Sequence, residues 1–309
     1  MHIRVLGSAA GGGYPQWNCN HPNSRRARQD DPAARPRTQS SIAISADGER
    51  WFLCNASPDI RQQINQTPAM HPHDGLRHSP IQGVVLTNAD VDHITGLLTL
   101  RESHPLRLYG SSKVLDVLAA NTVFNVLNPK FVARDTLRLD EPLALICPDG
   151  SDSGVTVVPF AVPGKVALWL EKADAPVETE AVGEDTIALE IRDSDGKTRA
   201  FYVPGCATFP DWLADRLRGA PLVLFDGTLW IDDEMIQSDV GIKTGKRMGH
   251  MSVSGPRGAM ASFADLDVER KIFIHINTTN PILLDDSAER AEVLAAGWEV
   301  SYDGMEITI

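Results

Sequence analysis

A polar segment in the first third of the chain carries the side chains with the clearest chemistry. The apolar run at residues 84–86 predicts a buried strand, and Asp90, Asp92 and His93 follow it. Carboxylates and imidazoles are metal ligands, and loops at the carboxyl ends of strands are where α/β proteins bind their ligands. The segment therefore indicates either a metal site or a solvated loop whose aspartate caps the next helix.

Other buried strands also end in polar residues. The strand at 222–225 ends at Asp226, the strand at 272–274 ends at His275, and His250 lies in a Gly- and Ser-containing loop between them. Core strands that each deliver one His or Asp at the same edge are typical of an active site. The predicted site contains Asp92, His93, Asp226, His250 and His275.

The composition argues against several classes of protein. The 309 residues include 29 Lys and Arg but 41 Asp and Glu, and a net charge of -12 disfavours a nucleic-acid partner. The chain contains no apolar run long enough to predict a membrane span, and its first residues resemble a strand and not a secretory signal. Four widely spaced cysteines without a CxxC pair favour a reduced, cytoplasmic location.

Strands and hairpins alternate with helices along the whole chain, in two similar halves. Hairpins are predicted at residues 40–55 and 187–203, each around an Asp-Gly turn. A glycine run at 7–13 follows the first strand, and we expect it to form a tight turn beside the active site. The pattern predicts one compact α/β domain over residues 1–309.

Two polar stretches and the C-terminus complete the prediction. Residues 25–37, which hold a cluster of arginines, are expected to form an exposed loop, and 171–185 a surface loop or insertion. Two terminal strands, at 298–302 and 305–309, are expected on either side of Asp303 and Gly304.

Seven motifs together resemble a known protein family. They are Leu6 to Gly13, Pro15 to Cys19, Arg37 to Ser41, Asn55 to Arg61, Asp226 to Thr228, Thr244 and Gly245 with Met248 to His250, and His275 to Pro281. The order of the elements resembles the metallo-β-lactamase superfamily, and the motifs resemble its PqqB family, which takes part in pyrroloquinoline quinone (PQQ) biosynthesis. This resemblance implies an αββα sandwich.

Departures from the superfamily pattern bear on the metal. The superfamily loop is His-x-His-x-Asp-His, and the leading histidines are here Asn88 and Asp90. The mid-chain segment at 162–165 has no histidine, and the bridging aspartate of the superfamily falls near Gly205. The resemblance thus implies that the first of the two zinc sites is lost.

The resemblance leaves Asp92, His93 and His275 as the ligands of the second site. Two histidines and one carboxylate with open positions make the facial triad of non-haem Fe(II) oxygen-activating enzymes. The resemblance implies an iron-dependent hydroxylase that uses O₂ on the tyrosine ring of a Glu-Tyr-derived PQQ precursor. Fe(II) is the expected cofactor, and the same ligands accept zinc.

Two other functions stay open. One is a carrier that binds PQQ or its precursor and helps to move it towards the periplasm, and the other is a zinc hydrolase of superfamily type. The precursor is expected to be a small molecule or dipeptide, and the oligomeric state, including a homodimer, is also open.

Two pairs of residues have alternative roles. Asp226 and His250 resemble the proton-transfer pair of the tRNA-trimming nuclease branch, or His250 is a fourth metal ligand and Asp226 accepts its hydrogen bond. Cys19 and His21 could ligate a structural zinc, but two ligands do not complete a tetrahedral site and the next candidate position is Ser24.

Overall fold

Two mixed β-sheets lie face to face in the computed structural model, which describes residues 1–172 and 178–309. The first sheet contains, in chain order, β1 (His2–Gly7), β2 (Ser41–Ser45), β3 (Trp51–Cys54), β4 (Ile81–Val85), β5 (Leu106–Ser111), β6 (Val132–Leu137) and β14 (Glu306–Thr308). The second contains β7 (Leu143–Ile146), β8 (Asp152–Gly164), β9 (Ala181–Asp193), β10 (Arg199–Val203), β11 (Leu222–Asp226), β12 (Arg270–Ile274) and β13 (Trp298–Val300).

Helices cover the outer faces of the sheets and form the connections between strands. The α-helices are α1 (Pro22–Arg28), α2 (Ile60–Gln66), α3 (Val91–Ile94), α4 (Ser112–Ala120), α5 (Asp211–Leu217), α6 (Glu234–Gln237), α7 (Gly245–Met248), α8 (Ala259–Ser262) and α9 (Ala288–Ala295). Short 3₁₀ helices are Pro68–Met70, Thr95–Leu98, Thr122–Val126, Leu168–Leu170 and Pro281–Leu283. None of the helices in the described residues is both long and apolar enough to cross a membrane.

The layers follow from side-chain alternation along buried strands. Leu224 of β11 and Ile272 of β12 belong to the core between the sheets, whereas their neighbours Phe225 and Phe273 pack with the helices on the outer face. Successive side chains of a strand point to opposite faces, so strands that are buried on both faces appear as continuous apolar runs. The predicted αββα sandwich is confirmed.

Because neighbouring strands run parallel, the polar residues that follow them lie together at one edge. The order in the first sheet is β14-β1-β2-β3-β4-β5-β6, with β3 to β6 parallel, and in the second β13-β12-β11-β10-β9-β8-β7, with β10 to β13 parallel. The carboxyl ends of parallel strands meet at one edge, as expected for ligand sites in α/β proteins. The segments after β4, β10, β11 and β12 build the candidate site.

The prediction of an exposed loop at residues 25–37 was wrong for residues 25–28, which belong to helix α1, whereas residues 29–37 contain no helix or strand. Helix α1 begins at Pro22, and its buried face consists of Asn23, Ser24 and Ala27. The Asn23 amide donates hydrogen bonds to backbone carbonyls of residues 278–280. A helix held by a polar side chain has no apolar stripe from which its period can be detected.

Two further findings concern the strands. The terminal strands join different sheets, β13 beside β12 and β14 beside β1. Asp303 lies between them and accepts hydrogen bonds from the backbone and hydroxyl of Ser8 and Thr38, so the turn is anchored to other loops. The loop predicted at 171–185 includes 173–177, which lie outside the described residues, and β9 already begins at Ala181.

A close backbone contact holds α3 against the segment after β3. The Ala56 amide donates to the His93 carbonyl over 2.8 Å, and the Gly96 amide donates to the Ala56 carbonyl over 2.9 Å. A Cβ atom at Gly96 would lie 2.1 Å from the Ser57 carbonyl oxygen and 2.7 Å from that of Ala56. Only glycine permits this approach, which fixes the backbone of a predicted metal ligand.

We expect Gly96→Ala to lower the free energy of unfolding by about 2–3 kcal/mol, because the added methyl group meets rigid backbone. Urea unfolding at constant m-value measures the change. Gly110→Ala is the matched control, since its Cβ would lie 3.4 Å from the nearest side-chain atom and should change stability by less than about 0.5 kcal/mol. Equal stability of the two variants would contradict the packing argument.

Candidate metal centre

Three side chains from two sheets converge at the edge of the sandwich. Asp92 and His93 lie on α3 after β4, and His275 directly follows β12. The Asp92 Oδ2 atom lies 3.2 Å from His275 Nε2 and 3.9 Å from His93 Nε2. The ligand atoms of the three residues lie within 4.8 Å of one another, a spacing that suits one metal ion.

His93 presents one ring nitrogen to this cluster. Its Nδ1 lies 2.7 Å from the Asn88 side-chain oxygen, which can only accept, so Nδ1 carries the proton. Its Nε2 is buried and has no hydrogen-bond partner among the described residues. A buried, unpaired lone pair beside a carboxylate fits a metal ligand and is costly without one.

Asn88 acts in this site as a hydrogen-bond acceptor. Its side-chain oxygen accepts from His93 Nδ1 and from the backbone amide of Asp90. By the sequence resemblance, Asn88 lies where the superfamily has a metal-binding histidine, and here it orients the predicted ligand His93.

Asp226 organises the other half of the site. Its carboxylate is fully buried and accepts four hydrogen bonds: Oδ2 from the Cys206 amide and His250 Nδ1, and Oδ1 from the amide and hydroxyl of Thr228. The His250 bond is 2.7 Å long and the Thr228 hydroxyl bond 2.6 Å. Its lone pairs are taken up by these donors, which makes Asp226 an orienting group and not a ligand.

Thr228 connects this carboxylate to His275. Because the Thr228 hydroxyl donates to Asp226, its oxygen is free to accept from His275 Nδ1, 2.8 Å away. The proton on Nδ1 leaves the Nε2 lone pair of His275 directed at Asp92. The backbone of His275 has a φ of 60°, a left-handed conformation that is uncommon outside glycine and clusters at functional sites.

His250 stacks on His275 with ring centroids 5.0 Å apart and an interplanar angle of 19°. Asp226, His250 and His275 form a second group whose ligand atoms lie within 4.8 Å of one another. Since Asp226 is already saturated, the geometry leaves the two predicted roles of His250: a proton acceptor oriented by Asp226, or a further ligand beside His275.

The electrostatics of the cluster favour a cation. Burial lowers the pKa of His93, although the negative charge of Asp92 acts to raise it. Burial also acts to lower the pKa of His275, but the hydrogen bond to Asp92 outweighs it and the pKa is raised. Burial acts to raise the pKa of Asp92, and the two histidines more than offset this, so its pKa lies below its usual range. Because a metal ligand must be unprotonated, a divalent cation would compete with the protonation of His275, and metal binding should strengthen as pH rises.

Residues at the positions that the resemblance assigns to the first zinc site contact other protein groups. The Asp90 side chain accepts from the Leu168 amide over 2.9 Å, and the Lys165 ammonium lies 3.0 Å from the Glu171 carboxylate. A Cβ atom at Gly205 would lie 3.5 Å from His250 Cε1, so the His250 ring faces the position from which the bridging aspartate would project.

A cavity of about 310 Å³ opens onto the predicted ligands. The glycine run forms part of its wall, and a Cβ atom at Gly11 would lie 3.3 Å from Asp92 Oδ2. The run therefore lies beside the site, as predicted. The cavity is lined by Ala10, Gly11, Gln16, Asn88, Asp90, Asp92, His93, Lys165, Leu168, Gly205, Thr228, Met235, Lys243, Met248, His250, His275 and Asn277.

A buried carboxylate braces one wall of the cavity. Glu234 accepts from the Trp230 amide and from the Thr279 hydroxyl, and Asn277 donates to that hydroxyl over 2.7 Å. Burial raises the pKa of Glu234 to about 7. This contact fixes α6, which carries Met235, to the segment that follows His275.

The predicted structural zinc site is not assembled with a third ligand. The backbone amide of His21 donates to Cys19 Sγ, and His21 Nδ1 accepts from the Asn23 amide as the cap of α1. The Ser24 hydroxyl bonds to that of Thr278. Within the described residues, no other His, Cys, Asp or Glu joins Cys19 and His21 at ligand spacing, and a zinc ion there stays a prediction.

Thr228, Lys165 and Lys243 line the cavity and were not among the predicted site residues. Thr228 belongs to an Asp-Gly-Thr tripeptide directly after a buried strand, and that pattern was the available signal. The lysines carry no such signal, because only the folded chain places them at the cavity.

Comparison with known proteins places these observations in a family. A family model described as the beta-lactamase superfamily domain matches residues 50–276. A coenzyme PQQ synthesis protein B of Gluconacetobacter diazotrophicus is 58% identical over 308 residues, which cover 100% of this chain and 99% of the relative. The protein of the same name from Xanthomonas oryzae pv. oryzae is 54% identical, with 100% of both chains covered.

Two solved structures are also similar to this chain. The crystal structure of Zn²⁺-bound PqqB from Methylobacterium extorquens is 50% identical, with a TM-score of 0.94 and complete coverage of both chains. A diphosphatase of the PhnP family, 21% identical with a TM-score of 0.69 over 99% of this chain and 96% of that chain, shows the shared fold.

We expect Asn88→Ala to weaken metal binding about 10- to 100-fold, since His93 loses the acceptor that fixes its tautomer and ring orientation. Competition with a chromophoric chelator measures the dissociation constant for Zn²⁺. Asn88→Asp is the matched control, because a carboxylate still accepts from His93 and should preserve the affinity. Unchanged affinity of Asn88→Ala would show that the Asn88 contact does not position a ligand.

Proposed function

The chain belongs to the coenzyme PQQ synthesis protein B family within the β-lactamase superfamily, and on that premise we propose that it is a mononuclear, iron-dependent hydroxylase. Its substrate is the tyrosine ring of a small, Glu-Tyr-derived precursor of PQQ, and O₂ is the oxidant. The resemblance found in the sequence is confirmed at the level of the family and of PQQ biosynthesis. The hydroxylation, the iron and the cytoplasmic location remain proposals.

The observation that carries this proposal is the set of side chains that could ligate a metal ion. His93 and His275 each have Nδ1 held by a hydrogen-bond acceptor and Nε2 directed at Asp92, beside a cavity. Two imidazoles and one carboxylate with open positions are the ligand set of non-haem Fe(II) oxygenases. Asp92, His93 and His275 would hold one ion, and iron bound there supplies the activation of O₂ that ring hydroxylation needs.

His250 is the group best placed to accept a proton from the substrate. It lines the cavity, and its Nδ1–H is donated to the buried carboxylate of Asp226. A carboxylate that orients an imidazole and stabilises its charged form makes it a better base. We assign His250 the removal of the phenol proton, which makes the ring carbons beside the phenol oxygen more electron-rich, where the new hydroxyl group is added.

The zinc of the Methylobacterium extorquens relative does not decide the metal, since the same ligands accept zinc and iron. A two-zinc hydrolase is less well supported, because Asn88, Asp90 and Lys165 are engaged with protein groups where the first zinc would need ligands. A carrier differs from the hydroxylase in one measurable respect: it binds its ligand without changing it.

We expect protein loaded with Fe(II) without air to add one or two oxygen atoms to the dipeptide Glu-Tyr when O₂ and a chemical reductant are supplied. Mass spectrometry of the peptide measures the product. His93→Ala and His275→Ala should lose the activity because each removes a ligand, and Zn²⁺-loaded protein should be inactive because zinc has no redox chemistry.

The control variant is His104→Ala, a histidine of a separate surface pocket, which should retain activity. Unmodified Glu-Tyr that nevertheless binds to the iron-loaded protein would contradict the hydroxylase and favour the carrier. Normal turnover by the His93 and His275 variants would refute the assignment of the site.

A further inference from the structure

The charged side chains of the cavity differ in whether other protein groups pair with them. Asp92 belongs to the predicted ligand set, and Asp90 is bonded to the Leu168 amide. The Lys165 ammonium pairs with Glu171 and donates to the Val166 carbonyl, and its side chain is only 9% exposed. The charge of Lys165 is therefore already compensated by the protein.

Lys243 is the other lysine of the cavity, and it differs from Lys165. It is half-buried, and across residues 1–172 and 178–309 no carboxylate or hydrogen-bond acceptor pairs with its ammonium group. Neighbouring cations are paired: Lys246 lies 2.6 Å from Glu180, and Arg247 lies 2.8 Å from Glu171. An uncompensated ammonium in a recessed site favours an anionic ligand.

The backbone beside Lys243 is fixed. Thr244 caps α7 by accepting from the Arg247 amide, and Asp232 accepts from the amides of Gly245 and Lys246. Helix α7 then leads to His250, whose amide donates to the Gly245 carbonyl over 2.9 Å. Lys243, Met248 and His250 thus form one continuous wall of the cavity.

We propose that Lys243 is a specificity-determining residue that binds a carboxylate of the substrate. The inference rests on the proposed function in taking this cavity as the substrate site, and it names the group that the site recognises. A carboxylate on Lys243 holds one end of the molecule at the start of α7. The rest of the substrate then extends along the same wall towards His250 and the predicted metal ligands.

Binding of Glu-Tyr to Zn²⁺-loaded protein tests this directly, because zinc permits binding without turnover. Calorimetric titration compares Glu-Tyr with two amides, Gln-Tyr and Glu-Tyr-amide, each of which lacks one carboxylate. Lys243→Gln should weaken binding of Glu-Tyr about tenfold, as expected for loss of a charge-assisted hydrogen bond. It should not weaken binding of the amide that lacks the recognised carboxylate, and Lys243→Arg should restore affinity for Glu-Tyr.

Lys246→Gln is the matched control, since its ammonium pairs with Glu180 at the surface and does not line the cavity. The proposal is overturned if Lys243→Gln binds Glu-Tyr as the wild type does, if it weakens all three peptides equally, or if the wild type binds none of them. Binding that depends on Lys243 without oxygenation by the iron-loaded protein would refute the hydroxylase and leave this inference standing.

Discussion

One half of the site depends on the hydrogen bonds that the buried carboxylate of Asp226 accepts. It lies at the end of β11, has no exposed surface, and accepts hydrogen bonds from Cys206, Thr228 and His250. A buried charge is tolerated only when its lone pairs are satisfied. The donors that satisfy it fix His250 directly and His275 through the hydroxyl of Thr228.

In the other half of the site, a neutral side-chain oxygen, that of Asn88, accepts the hydrogen bond from a histidine Nδ1. Asn88 holds His93 as Thr228 holds His275, so both imidazoles present Nε2 to Asp92. On the proposed single-ion site, the positions that the resemblance assigns to the first zinc have other contacts. Asn88 orients His93, Asp90 accepts from the Leu168 amide, and Lys165 forms an internal ion pair with Glu171.

The sequence alone predicted the features that depend on residues close together in the chain. Buried strands that end in Asp226 or His275 were visible because apolar runs and the polar residues after them lie together in the chain. The Thr228–His275 contact was not, since it joins residues 47 positions apart. Helix α1 was missed because its buried face is polar. The partners of the terminal strands could not be predicted, because their alternation is the same whichever sheet they join.

The central claim is that one ion is held by Asp92, His93 and His275. The most direct measurement is a crystal structure of protein loaded with Fe(II) under anaerobic conditions, with anomalous diffraction recorded at the iron absorption edge. We expect a single anomalous peak per chain, bonded to the Asp92 carboxylate and to Nε2 of both His93 and His275. A second peak beside Asn88, Asp90 and Lys165, or an ion that does not contact His93 and His275, would contradict it.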